Sequence, residues 1–283
     1  MPVQDKKPAA ARNTAYDPGI ALQFFKSAGQ AENVTQGSTL FAEKERAIPL
    51  LKPARMYLLL KGEVELQVHG KPIAHVRPGE IFGELAVLSS APRSAAAVAK
   101  TDGIVIALDE KKFHAALEHH PDFALMLMSI MIHRLRETIA QLQASGGLKK
   151  EDAWKEAHAF DPKILQQLTE GLADDPPVHY NARQPIIARG QKGLRMYAVL
   201  EGQVSVSIDG HTVEVLGPGG VFGEAAIISE SPRLASAVAE TDCELLAISR
   251  EAFLILVKAS PKFADTMLTT LAERLRYLTA KLD

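Results

Sequence analysis

Two short segments hold the residue types that could do chemistry. One reads Phe82-Gly83-Glu84-Leu85-Ala86, followed by Pro92-Arg93-Ser94-Ala95. The other reads Phe222-Gly223-Glu224-Ala225-Ala226, followed by Pro232-Arg233-Leu234-Ala235. The spacing from glutamate to arginine is the same in both. Val87-Leu88 or Ile227-Ile228 lies between them, enough for about one helical turn. Each part has a chemical use. Glycine lets backbone approach a ligand closely. A short helix starting just after it aims unpaired N–H groups at an anion. The arginine offers a two-pronged clamp for phosphate oxygens. The glutamate repels that phosphate and so must face another part of the ligand, where a sugar hydroxyl can donate to it. One phosphate and one ribose hydroxyl held in a single loop describe a compact nucleotide.

The elements that position these segments come from an internal repeat. Residues 56–102 and 196–242 align without a gap, and the register holds as far as Arg134 and Arg274. A period this long is a whole domain rather than a solenoid unit. In copy one, residues 57–60, 63–68, 73–76, 95–99 and 104–108 read as short strands between turns such as Gly62, Gly70 and Pro78-Gly79. From residue 110 to 143, and from 250 to 282, apolar residues recur every three or four positions. Pro121 and Pro261 open the last helix of each copy. The predicted fold is α+β but mainly β: two tandem β-rolls, each flanked by helices and closed by a C-terminal capping helix. The expected division is an arm over 1–19, domain A over 20–143, a linker with a helix over 144–160, and domain B over 161–283. Ala144-Ser145-Gly146-Gly147 marks the joint, and Asp161-Pro162 begins a further helix that ends near Gly171.

Composition excludes several classes. Thirty-four acidic against 32 basic residues give a formal charge of −2 in 283 residues, so no nucleic-acid partner is expected. A single cysteine, Cys243, excludes a disulfide scaffold and favours a reducing compartment. No apolar run approaches a membrane span, and residues 1–17 lack the apolar core of a signal peptide. A cytoplasmic protein with no membrane partner follows as the expectation. His69, His75, His119, His120 and His179 show no metal-ligand spacing, and Ser89 and Ser229 have no base and acid beside them. No metal and no catalysis are expected.

Both segments resemble the phosphate-binding cassette of cyclic-nucleotide-binding domains, F-G-E-x-A-x(5)-P-R-x-A. The likeness covers roughly residues 34–143 and 176–283. Its tandem form resembles regulatory subunits of cyclic-AMP-dependent kinases. The resemblance implies that Gly83 and Glu84, and Gly223 and Glu224, meet the ribose 2′-hydroxyl. It implies that Arg93 and Arg233 pair the phosphate, joined by backbone N–H groups of Leu85, Ala86, Ala225 and Ala226. Ser94 could add a hydroxyl to phosphate, whereas Leu234 cannot. A threonine after the cassette arginine favours guanine in this family, and neither copy has one. The helix around Arg134 resembles the capping helix of catabolite-activator-type proteins, in which the position of Thr138 meets the adenine amino group. Leu278 stands there in copy two, beside Thr279. Cyclic AMP is therefore expected at both sites, with cyclic GMP as the alternative.

Three further readings complete the expectation. Arg134 and Arg274 either brace the cassette glutamates or line a solvated helix face. Met128, Met131, Leu135, Thr138 and Leu142, and Leu268, Leu271, Leu275, Leu278 and Leu282, form stripes that would suit a homodimer through one capping helix. Only Asp283 follows the second capping helix, and Lys6-Lys7 and Arg12 do not form a kinase pseudosubstrate cluster. The output is thus expected to be an unidentified effector protein, with residues 144–160 coupling the sites. A structural or interaction module with vestigial pockets stays open as the other class.

Overall fold

The computed structural model describes residues 16–48, 51–147, 154–155, 160–172 and 176–282. Most of the expected N-terminal arm lies outside these residues. In copy one, helix α1 (Pro18–Ala28) precedes β1 (Gln30–Val34), β2 (Thr39–Phe41), β3 (Arg55–Lys61), β4 (Val64–Val68), β5 (Lys71–Val76) and β6 (Ile81–Phe82). The short helix α2 (Glu84–Leu88) follows, then β7 (Ala96–Ala99), β8 (Gly103–Asp109), α3 (Glu110–Leu117) and α4 (Pro121–Ser145). After β9 (Trp154–Lys155) and α5 (Pro162–Gly171), copy two repeats the plan. It runs through β10 (Val178–Tyr180), β11 (Pro185–Ile187), β12 (Arg195–Glu201), β13 (Val204–Ile208), β14 (His211–Leu216), β15 (Val221–Phe222), α6 (Glu224–Ile228), β16 (Ser236–Ala239) and β17 (Cys243–Ser249). Helices α7 (Arg250–Ala259) and α8 (Pro261–Thr279) close it.

Each copy is a roll of two facing sheets, antiparallel except where β9 joins copy two. Their strand orders are β1-β8-β3-β6 and β2-β7-β4-β5 in copy one, and β10-β17-β12-β15 and β11-β16-β13-β14-β9 in copy two. Residues that alternate inward fill the space between the sheets. Phe41, Leu59, Val64, Phe82, Ala97 and Val105 do so in copy one. Ile187, Val199, Val204, Leu216, Phe222 and Leu245 do so in copy two.

A third core joins the helices of both copies, including Phe24, Phe113, Phe123 and Leu127 of copy one and Phe253, Phe263, Leu268 and Leu271 of copy two. Helix α4 packs along α8. Apart from Leu282, which is 37% exposed, the two apolar stripes are buried. Each stripe is covered within the same chain. Burying each such Leu or Met contributes about 1.5–3 kcal/mol, so the association is built into folding.

The ends of α4 follow from local chemistry. Pro121 occupies its first turn, where a missing N–H costs nothing. Gly146, left-handed at φ 66°, ends it, and the Gly147 N–H closes on the Leu142 carbonyl at 2.9 Å. Asp161 caps α5 by accepting from the Ile164 N–H at 2.8 Å. The linker differs from expectation. Trp154–Lys155 is a strand, not helix, and pairs in parallel with Glu214 and Val215 of β14. An open sheet edge outcompetes the helix-friendly composition. The rest of the expected linker helix lies outside the described residues.

Candidate functional site

Both cassettes sit where a two-residue strand, β6 or β15, turns into a helix of about one turn. The turn needs glycine. Gly83 and Gly223 are left-handed, at φ 76° and 82°. A Cβ on Gly83 would fall 3.0 Å from Arg93 Nη1, and one on Gly223 would fall 2.5 Å from Arg233 Nη1. Leu85, Ala86, Ala225 and Ala226 then lie in the first turn of α2 and α6, where N–H groups lack intrahelical partners. Phe82 and Phe222 anchor the strands in the roll cores at 1% and 3% exposure.

The arginines return to these glycines. Arg93 donates from Nη1 to the Gly83 carbonyl at 2.8 Å and from Nη2 to the Arg55 carbonyl at 2.7 Å. Arg233 repeats this with the Gly223 carbonyl at 2.8 Å and the Arg195 carbonyl at 2.6 Å. Main-chain bonds to the loop after β2 or β11 hold each arginine: Arg93 N–H to the Glu45 carbonyl, and Arg233 N–H to the Gln191 carbonyl, both at 2.9 Å. Both side chains are buried, and burial pulls both guanidinium pKa values down. Both cations hydrogen-bond to neutral carbonyls, and the nearby acids, Glu45 and Glu84 for Arg93 and Glu224 for Arg233, only partly offset the effect of burial.

The glutamates face the capping helices. Glu84 and Glu224 are each 4% exposed. Arg134 of α4 pairs with Glu84, and Arg274 of α8 pairs with Glu224 at 3.0 Å. Of the two sequence readings for these arginines, this is the geometry of a brace. Arg274 has a second acid: its Nε and Nη2 donate to Glu214 Oε1 at 3.1 and 3.0 Å, and it also donates to the Val221 carbonyl. Burial pushes the Glu214 carboxyl up, while Arg274 pulls it back.

A cavity opens beside cassette B. Arg233, Leu234, Ala235, Glu214 and Glu224 line it from the roll, Arg274, Tyr277 and Leu278 from α8, and Leu135 and Ile139 from α4 of the other copy. In copy one, Thr138 is buried one turn beyond Arg134, as Leu278 is one turn beyond Arg274. Ala95 is buried, Pro92 half-buried, and Ser94 and Pro232 exposed.

Sequence reasoning missed several neighbours. Phe41 lies beneath Arg93, with the guanidinium carbon 4.0 Å from the ring centroid. Gly193 packs so closely on Arg233 that a Cβ would collide with it. Glu214, Leu135, Ile139 and Arg136 were missed as well. Glu214 left a signal in sharing an inward strand register with Leu216, and Leu135 in its place on the apolar stripe. Among the described residues no group of three or more His, Cys, Asp or Glu side chains could hold a metal ion. No described helix is long and apolar enough to cross a membrane.

Two antiparallel rolls, each with a glycine–glutamate turn, a buried arginine and a helix that meets the glutamate, define a ligand-binding module used twice. The profile of the cyclic nucleotide-binding domain matches residues 31–120 and 177–260, more than half of the sequence. The chain belongs to that family. It is 39% identical over 109 residues to the cyclic AMP receptor protein of Thermus thermophilus, covering 37% of this chain and 50% of that protein. It is 28% identical over 203 residues to the cAMP-dependent protein kinase regulatory subunit of Eremothecium gossypii, covering 70% and 38%. A cGMP-dependent protein kinase of Caenorhabditis elegans is 26% identical over 211 residues, covering 70% and 24%. The chain thus spans half or less of the length of these relatives.

Proposed function

We propose that this chain is a noncatalytic cyclic-nucleotide receptor with one site in each copy, site A at Arg93 and site B at Arg233. One observation carries the reading. Each cassette buries a guanidinium that hydrogen-bonds to two backbone carbonyls, beside the start of a short helix and next to a buried glutamate. A cyclic phosphate supplies the anion, and its ribose 2′-hydroxyl donates to Glu84 or Glu224. The cassette holds a phosphodiester but brings no positioned nucleophile to cut it. The proposed ligand is cyclic AMP, supported in site A by the Thr138 hydroxyl. Cyclic GMP is the competing ligand, and the matched relatives include proteins named for each nucleotide.

A ligand that draws α4 or α8 over its base shifts the balance between two helix positions by its differential affinity for them. The proposed receiver is a protein partner, and the proposed compartment is the cytoplasm. Titration calorimetry of the whole chain with cyclic AMP and cyclic GMP side by side tests this. Two sites are expected. Arg93→Ala and Arg233→Ala should each abolish one, weakening it by about 3–5 kcal/mol, or roughly a hundredfold and more. No binding of either nucleotide overturns the receptor. Two equal sites remaining in both variants overturn the site assignment.

A further inference from the structure

We propose that His114 and Asp265 form a pH-sensitive clasp between the two copies, closed while the imidazole carries a second proton and released when that proton leaves. His114 lies on α3 of copy one and Asp265 on α8 of copy two. The two helices pack on each other, and His114 Nδ1 stands 2.8 Å from Asp265 Oδ1. The Phe113 ring meets the imidazole edge-on, with ring centroids 5.2 Å apart. Two other polar ties between the copies do not titrate near neutrality. Arg136 of α4 donates to Ser231 Oγ and, at 3.0 Å, to the Pro232 carbonyl, and Gln143 bonds Asp209. A guanidinium and a side-chain amide keep one charge state there.

The repeat shows what the pair replaces. The twin of His114 is Leu254 on α7, and the twin of Asp265 is Leu125 on α4. Helix α7 packs on α4 as α3 packs on α8, and both leucines pack against the shared helix core. Apolar burial has no proton dependence, so at these positions only one side of the joint can respond to pH. The charged groups that act on His114 are Asp265 across the contact and Glu110 one turn earlier on α3; α1, α4 and β8, which also pack on α3, add none among the described residues. Asp265 raises the imidazole pKa above its ordinary value, partial burial opposes this, and Glu110 adds to the rise. With a folded pKa above the unfolded value of about 6.5, the clasp contributes fully below that value and is lost as pH rises through the folded one. The two side chains are 38% and 36% exposed, so solvent screens the pair and its weight is about threefold in an equilibrium constant. The clasp bears on α8, the helix that brings Arg274 to Glu224.

The experiment uses the whole chain without ligand. The imidazole signal of His114 is followed by NMR from about pH 5 to about pH 9 and assigned by its loss in His114→Leu. Asp265→Asn, which keeps the shape of the side chain, should bring that titration down to the ordinary imidazole range or below it. Amide exchange at residues 265–268 of α8, corrected for the intrinsic rate, should be about threefold faster at about pH 8.5 than at about pH 5.5 in the parent. The difference should vanish in Asp265→Asn. It should also vanish in the double variant His114→Leu with Asp265→Leu, which installs the leucines of the twin contact. An unchanged His114 titration in Asp265→Asn overturns the clasp. So does a parent exchange rate that is the same at both pH values, or a difference that persists in Asp265→Asn. That single substitution carries the decision should the double variant fold poorly.

Discussion

The two copies share a cassette but secure it differently. In copy one, Arg134 meets a single acid and its side chain is 40% exposed. In copy two, Arg274 is 9% exposed and shared between Glu214 and Glu224. The position of Glu214 is Ala74 in copy one. Beneath the cassette arginine the contrast reverses: copy one supplies the Phe41 ring, while Ile187 approaches the same place in copy two. What stays constant is the glycine, the glutamate, the arginine and two backbone carbonyls. Those are the groups that the proposed receptor would use for one phosphate and one hydroxyl. What varies is the support behind them, which can be met by an aromatic face, an extra acid or tight packing.

The comparison can be broken most sharply at Glu214. Two carboxylates on one guanidinium leave a buried surplus of negative charge, and burial raises the Glu214 pKa in the folded protein. A raised folded pKa contributes stability that is complete below the unfolded pKa and is lost as pH rises through the folded value. Glu214→Gln has no such titration. Its stability relative to the parent should therefore grow as pH climbs from 4 to 7. Denaturant melts at both pH values test this, and a parent that gains on the variant with rising pH would sink it. Phe41→Ile gives copy one the side chain of its twin. Loss of the ring beneath Arg93 should weaken site A by about 1 kcal/mol, roughly fivefold, and leave site B unchanged. Equal affinity at site A would show that the ring is only core filling. Ser94→Ala should have the smallest effect. Ser94 is exposed, so less than about a twofold change at site A is expected. A tenfold loss would mean that cassette A closes on phosphate with a hydroxyl contact its twin lacks.

Much of this was legible from residue types. Gly83, Glu84 and Arg93 declare themselves because each is chemically hard to replace, and the repeat shows the set twice. Strands β3, β4, β5, β7 and β8 could be read because apolar alternation meets glycine turns. Strand β1, Gln-Ala-Glu-Asn-Val, could not: it is a polar edge strand recruited by β8, and pairing overrides its composition. The capping stripes were legible as apolar faces, but their partner was not. Periodicity shows that a face must be covered and says nothing of whether the cover comes from a second molecule or from the same chain. Arg136 was illegible for a related reason. Its acceptors lie about 95 residues away and come near only when the two copies dock.

The helix core common to both copies bears on how the protein is made. During synthesis copy one emerges first and can close its own roll from local strand pairs. One side of α4, with Leu135 and Ile139, then remains wet until the opposing roll and α8 have been translated. Copy one is thus born with an unfinished surface, and copy two must fold against it. The nascent chain should pass through a half-built stage in which site A has its cassette and its arginine brace, while α4 is not yet held on its other face.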